Sequence, residues 1–371
     1  MNILIIDTYY PGFLRSFWNK HSDLKSKSYK LQIKGLINQC FGTSDYYSYN
    51  FSKMGHVAID IVANDVVSQQ TWANEHKLGI STSSLYSKIQ LLPFLYRILG
   101  RPDWIQKIVF AQVQFYQPDV VYLQDLSILN PDTMMEIKKH CKILVGQIAC
   151  PLPDNDHLQC FDLILTSFPH YVKLFREMGI RSEYFRIGFE SRLLKKVGMH
   201  KRKYDVSFVG SFSPHHTKGT ALLEQVARAI PIHVWGNGLE FLSPTSPLRR
   251  YFHGEAWGID MYKVLAQSKI VLNRHISVSG RYANNMRLFE STGMGAMLLT
   301  DYKENLNDLF TLDKEVVSYQ SSDDLITKLK YYLKHPQLIN AIAKAGQKKT
   351  LSAHSYKIRM KELEAILTKY L

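Results

Sequence analysis

The sequence is poor in cysteine and has no long apolar run. Cys40, Cys141, Cys150 and Cys160 are the only cysteines in 371 residues, and none stands in a CxxC pair. A chain this long builds a core without cross-links, so a cysteine-stapled scaffold is excluded. Reduced, buried thiols of a cytosolic protein are the expectation. The longest greasy stretch, 91–99, is broken by Arg97. A bilayer span needs about 20 apolar residues, so no membrane-spanning helix is expected. Residues 1–7 carry neither a basic region nor a cleavage site and read as a buried first strand rather than a signal peptide. Repeats and low-complexity segments are absent. With 46% hydrophobic and 21% charged residues, disorder, collagen and coiled coil are excluded as well.

Several chemical signatures are also missing. Residues 7–13 offer a single glycine, Gly12, where a dinucleotide fingerprint needs GxGxxG, which argues against a nicotinamide dehydrogenase. Neither a GxxxxGK[ST] loop nor a Gly-x-Ser-x-Gly elbow is present. The pair His215-His216 has no carboxylate at ligand spacing, so no metal centre is expected. Acid is in deficit: 46 Lys and Arg stand against 32 Asp and Glu, a formal charge of +14. Such a field draws anions, among them nucleotides and acidic lipids. The basic residues are scattered and not interleaved with aromatics as in a single-strand binder, so nucleic acid is not an expected partner. They are denser at Lys195, Lys196, Lys201, Arg202 and Lys203, and again at Lys348, Lys349, Lys357, Arg359 and Lys361.

What the chain does have is alternation. Short β-type runs are expected at 2–7, 56–63, 119–123, 142–147, 162–165, 184–187, 205–209, 232–235, 269–272, 297–300 and 315–318. Helical periodicity falls at 104–116, 133–140, 171–179, 220–229, 261–268, 285–294, 323–334 and 358–371. Runs such as Val120-Val121-Tyr122-Leu123 are continuously apolar, as strands buried on both faces of a parallel sheet are. Strands alternating with helices imply βαβ units. The charged stretch from Glu190 to Tyr204 is the expected boundary. It gives an α/β protein of two Rossmann-like, doubly wound domains, 1–190 and 203–350, facing a cleft, with a final helix at 355–371 packing back on the first domain. In doubly wound sheets ligands bind at the carboxyl ends of the strands.

Candidate residues are judged by that rule. Asn284 or Asn285 suits a helix N-cap; with Met286, the helix start offers free amides to a phosphate. Arg287 adds a positive fork, and Glu290, three residues on, shares its face and suits vicinal sugar hydroxyls. The plain alternative is a surface ion pair. Gly210 and Ser211 end another strand, with Lys218 in reach of a diphosphate. Gly236 and Asn237 end a third, as a turn near a nucleotide base or as an ordinary tight turn. In the first half, Gln124 and Asp125 end a strand, and Asp125 is a candidate general base, a holder of a substrate hydroxyl, or an N-cap. Asn64 and Asp65 read as caps, and His56 as structural.

Residues 285–290 (Asn-Met-Arg-Leu-Phe-Glu), with 293–301 (Gly-Met-Gly-Ala-Met-Leu-Leu-Thr-Asp), resemble GT-B-fold glycosyltransferases. The spore-maturation-type and surface-polysaccharide branch is the most similar. Residues 204–211, 269–273 and 162–167 match too. The resemblance implies a second half that holds a nucleotide-diphosphate sugar: Glu290 on the ribose, amides before it on the diphosphate, and Lys218 at a position where a basic residue often meets the phosphates. It implies an acceptor in the first half and no metal or other cofactor. Retaining members carry a second glutamate eight residues before the first; here Tyr282 stands there. Many members have a histidine where Gln124-Asp125 stands. The implied activity is a cytoplasmic, metal-independent hexosyltransferase, with retention favoured, acting on a glycan or lipid-linked acceptor. The final helix, through Lys357, Arg359 and Lys361, would rest on an anionic membrane. A non-catalytic sugar-binding scaffold and a sugar-nucleotide epimerase are the alternatives.

Overall fold

The computed structural model describes residues 1–82, 101–213 and 217–371. The stretch 91–99 and the pair His215-His216 lie outside them, as does the side chain of Lys218.

Eleven strands stand among the described residues, in two sheets whose pairings are all parallel. The first sheet contains β1 (Asn2–Asp7), β2 (Val57–Val62), β3 (Val120–Leu123), β4 (Ile143–Gln147), β5 (Leu163–Thr166) and β6 (Ser182–Tyr184). Its order is β2-β1-β3-β4-β5-β6. The second contains β7 (Tyr204–Val209), β8 (His233–Trp235), β9 (Ser268–Asn273), β10 (Met297–Asp301) and β11 (Val317–Tyr319), in the order β11-β10-β9-β7-β8. Each sheet therefore sets its first strand between its second and third. This is one of the two common doubly wound orders, and the winding reverses between the first and third strands. The carboxyl ends of β1 and β3, and of β7 and β9, are the switch points.

The expected continuous burial is present. Val120–Leu123 is buried throughout, and Val206, Phe208, Ile270, Leu272, Met297 and Leu299 form one apolar core with the helices that cover them. Three short helices, Pro11–Lys20, Tyr29–Ile37 and Tyr46–Lys53, occupy the crossover between β1 and β2. An 18-residue helix, Pro336–Ala353, precedes the final one. Pro336 starts it, and Gly346 lies against the Glu315 carbonyl, where a Cβ would collide.

The chain forms two compact units, Met1–Phe185 with Met360–Leu371, and Arg186–Arg359. The charged stretch expected to link domains belongs to the second unit and carries a helix, Arg192–Val197. The last helix, Tyr356–Tyr370, spans both units by residue. In the first unit Glu364 meets His56 at 2.7 Å, and Lys369 meets Glu183 at 2.8 Å. Arg359 has no part in the expected membrane contact: it is 0% exposed. Its guanidinium donates to the carbonyls of Ile187 and Ala353. Among the described residues no helix is long and apolar enough to cross a membrane. The thiols divide: Cys40 and Cys160 are buried, Cys141 is half-buried, and Cys150 is exposed, against the expectation that all are buried.

Candidate functional site

The second switch point gathers most of the expected residues. β7 runs into Gly210, whose N–H donates to the Trp235 carbonyl at 3.0 Å; the N–H of Phe212 donates to the Asn237 carbonyl at 2.9 Å. The two turns are thus zipped together. The closeness requires glycine: a Cβ on Gly236 would strike the Gly210 carbonyl, and one on Gly238, at φ +86°, the Phe212 carbonyl. Among the described residues Asn237 Oδ1 is buried without a hydrogen-bond partner.

From β9, Asn273 reaches two ways. Its Nδ2 donates to Thr300 Oγ1 at 2.9 Å, and its Oδ1 accepts from Asn285 Nδ2 at 2.8 Å. Asn285 is the N-cap of helix Met286–Gly293, accepting the Leu288 N–H at 3.2 Å. A cap of this kind contributes about 1 kcal/mol. Asn284 beside it is buried. The capped helix keeps its first amides unbonded within the helix, and the Asn273–Asn285 bond ties them to the strand end.

Arg287 and Glu290 do pair, at 2.8 Å, but not on the surface: the side chains are 17% and 6% exposed. The other Glu290 oxygen accepts from the Tyr262 hydroxyl at 3.1 Å. An ionised carboxylate has about four lone-pair directions, so Glu290 is oriented by these partners and not exhausted by them. Arg287 pairs with Glu290 through Nη1, while its Nε is buried with no partner among the described residues.

Among the described residues Arg274, the residue after β9, makes no ion pair to a carboxylate, although Asp301 is near enough to act on its charge. Its guanidinium lies 5.8 Å from the Phe208 ring centre, and Gly219, in the first turn of helix Thr217–Ala229, gives it room. Its Nε is buried with no partner among the described residues, and burial pulls its pKa below the ordinary arginine value. A desolvated, unpaired guanidinium favours an anion. Next in the chain, His275 is pinned to Asp301 at the end of β10, Nδ1 to Oδ1 at 2.7 Å. Sequence reading missed both residues. The signal available was position: they follow a continuously apolar strand.

The first switch point has the opposite sign. Asp125 is tied by the backbone N–H and Oγ of Ser127 (3.0 and 2.8 Å), by Thr8 Oγ1 (3.0 Å) and by Arg101 at 3.5 Å. Asp7, at the end of β1, accepts the Thr8 N–H at 2.7 Å, with Thr43 Oγ1 3.5 Å from its other oxygen. Burial, with a smaller contribution from the Asp125 carboxylate, pushes Asp7 up to about 7. A carboxyl near neutrality is the property a general base needs, and sequence reading had looked for it at Asp125. Gln124 accepts from Thr43 Oγ1 at 2.6 Å. Asp65 caps its helix as expected, accepting from Ser68, and Asn64 brackets the backbone of Tyr9. Among the described residues no group of three His, Cys, Asp or Glu side chains is placed to hold a metal ion.

Comparison with known proteins bears on the fold. Residues 217–365 match the family described as Glycosyl transferase-like. A search of curated proteins finds no match. A Rickettsia africae glycosyltransferase superposes with TM-score 0.59 and 12% identity over 100% of this chain and 98% of that one. Anabaena HepE in complex with UDP and glucose gives 0.59 and 13%, over 100% of both chains. Sucrose-phosphate synthase from Thermosynechococcus elongatus gives 0.58 and 10%, over 100% and 99%. Two parallel doubly wound units, aligned along the whole length of such structures, establish that this chain has the GT-B glycosyltransferase fold.

Proposed function

We propose that the protein is a glycosyltransferase that moves a sugar from a nucleotide-diphosphate donor to a hydroxyl of a glycan or lipid-linked acceptor. One observation carries the reading: the unpaired, desolvated Arg274 shares a switch point with a capped helix start and a buried, oriented Glu290. That combination suits a diphosphate joined to a ribose. Arg274 and the amides of Met286 and Arg287 hold the diphosphate, Glu290 accepts from the ribose hydroxyls, and the zipped Gly210-Ser211 and Gly236-Asn237 turns flank the nucleoside. The match of residues 217–365 supports this assignment, as does the UDP bound by the structurally similar HepE.

The first unit takes the acceptor, with Asp7 receiving its proton and Asp125 ordering Thr8 and Arg101 beside it. Leaving-group charge is met by fixed dipoles and cations, an electrostatic form of catalysis, and no resident metal is invoked. A cytoplasmic location and a place in surface-polysaccharide synthesis belong to the same proposal; a single displacement in which Asp7 takes the acceptor's proton inverts the anomeric centre, so the retention implied by the resemblance is not carried into it. Peripheral contact with an anionic membrane rests on Lys357 and Lys361, which are exposed; Arg359 takes no part.

A thermal-shift panel with UDP, GDP, dTDP, CDP and ADP, with and without EDTA, tests the reading. A ligand at 100 times its dissociation constant stabilises by about 2.7 kcal/mol. One diphosphate raising Tm by a few degrees, unchanged by EDTA, is expected. A flat panel contradicts the donor site, and loss of the shift in EDTA contradicts metal independence.

A further inference from the structure

We propose that His275, held at Nδ1 by Asp301, gives its Nε2–H to the diphosphate that leaves as the sugar is transferred. The proposal rests on the glycosyltransferase reading and assigns a residue pair that reading does not use.

The ring is held twice. Asp301 Oδ1 accepts from His275 Nδ1 at 2.7 Å and from the His275 backbone N–H at 3.0 Å. Nδ1–H therefore points at the carboxylate, and Nε2 carries the lone pair when the ring is neutral and a second N–H when it is cationic. The side chain is fully buried, and among the described residues Nε2 has no partner. A buried polar atom without a partner is uncommon in folded proteins and asks for a ligand, a water or a catalytic use. The charged and titratable groups around the pair are Arg274 on the same strand end, Lys303, 3.6 Å from the other Asp301 oxygen, and Tyr319, whose hydroxyl donates to the Asn273 carbonyl at 2.9 Å. Burial pushes Asp301 up, but its hydrogen bonds from His275 and the nearby positive charges outweigh that, leaving the carboxyl below its ordinary value. Asp301 is thus a standing anion against the ring.

Position supplies the rest. His275 lies one residue beyond Arg274 and two beyond Asn273, whose side chain is bonded to the N-cap of helix Met286–Gly293. The unpaired guanidinium, the helix start and the imidazole therefore leave from one strand end at the switch point. An arriving diphosphate draws a proton from solvent onto Nε2, giving carboxylate, imidazolium and phosphate in sequence. In the transfer step the bond from the anomeric carbon to the β-phosphate oxygen breaks, its electron pair passing to that oxygen, which takes the Nε2 proton. The acceptor oxygen forms the new bond to carbon and gives its proton to the base. When the diphosphate departs, the neutral imidazole is restored. Asp301 is a positioning residue in this scheme, and His275 the catalytic one.

The test uses the full chain. Imidazole 1H–15N spectra are recorded with and without the nucleoside diphosphate that shifts Tm most, and initial rates of donor hydrolysis and transfer are followed from pH 5.5 to 9. Expected are a His275 Nε2 signal that moves to the protonated position on binding and a rate that falls at high pH. His275→Gln lowers kcat by about 10²-fold or more, the range for general acid–base groups, keeps donor KM within about threefold, and removes the high-pH fall. Asp301→Asn moves that fall to lower pH. A diphosphate that binds without moving the His275 signal overturns the proposal. So does a His275→Gln variant with an unchanged pH profile. If no nucleoside diphosphate binds the wild-type chain, the donor reading itself fails and takes this step with it.

Discussion

The two switch points share a topology and differ in chemistry. In the first unit the strand ends present Asp7 and Asp125, wrapped in hydroxyls and one arginine. In the second they present Arg274 and His275 beside a helix start, with tight glycine turns opposite. The same strand order serves an acidic edge in one case and an anion-seeking edge in the other. The sheet fixes where a ligand binds, and the two or three residues after each strand fix which ligand it is. On the proposed reading, proton acceptance falls to the first unit and diphosphate holding to the second.

The sharpest way to break this comparison is to neutralise the acidic edge. Asp7→Asn should lower kcat by about 10²–10⁴-fold, the range for a lost general base, and leave nucleoside diphosphate affinity unchanged. In the wild type, transfer should rise with pH through about 7, where Asp7 becomes ionised. Steady-state rates against pH, with calorimetric binding, check both parts. Equal activity in the variant would return the base to Asp125 or elsewhere. On the other edge, Glu290→Gln removes the carboxylate proposed to accept from the ribose hydroxyls and breaks the pair with Arg287. Donor affinity should fall about 10-fold, in the range for hydrogen bonds to charged groups, and proton transfer at Asp7 should keep its pH dependence. Wild-type affinity would remove Glu290 from the site.

The smallest expected effect separates the units by stability. Asp7 titrates in the folded chain near 7, above its ordinary 3.8. The folded state keeps a proton that the unfolded state has lost, so this contribution is present at low pH and is lost as pH rises from about 4 through 7. His354 behaves the other way. Burial lowers it from 6.5 to about 4, so its contribution is present above 6.5 and is lost as pH falls toward 4. Hydrogen exchange should show Asp7→Asn protecting the first unit more at pH 8 than at pH 4.5. His354→Gln should flatten the acid loss of the second unit. Matching pH responses in both units would contradict the assignment.

All eleven expected strands exist, because continuous apolar runs bounded by polar residues admit little else in an alternating α/β chain. β6 is displaced by two residues: Phe185 and Ile187 read as strand by composition, yet the chain leaves the sheet at Tyr184. Helix Pro336–Ala353 was not legible. Gly346 looks like a breaker, and its reason, contact with the Glu315 carbonyl, appears only in three dimensions. The helix start at Asn285 and the Glu290 position were readable because capping and helical spacing are local. Arg274, His275 and Asp7 were not. Their significance comes from strand order, which brings Asp301 to His275 across 26 positions, and from burial, which moves Asp7 far from an ordinary aspartate. Likewise the pairing of Arg287 with Glu290 inside the site, rather than on the surface, appears only in three dimensions.

The most direct test of the central claim is calorimetric binding of the diphosphate selected by the panel to the wild type, Arg274→Ala and Asp7→Asn. The account predicts that wild type and Asp7→Asn bind alike, and that Arg274→Ala binds about 10- to 100-fold more weakly, as loss of a charge-assisted contact implies. Undiminished binding by Arg274→Ala, or a loss confined to Asp7→Asn, would contradict it.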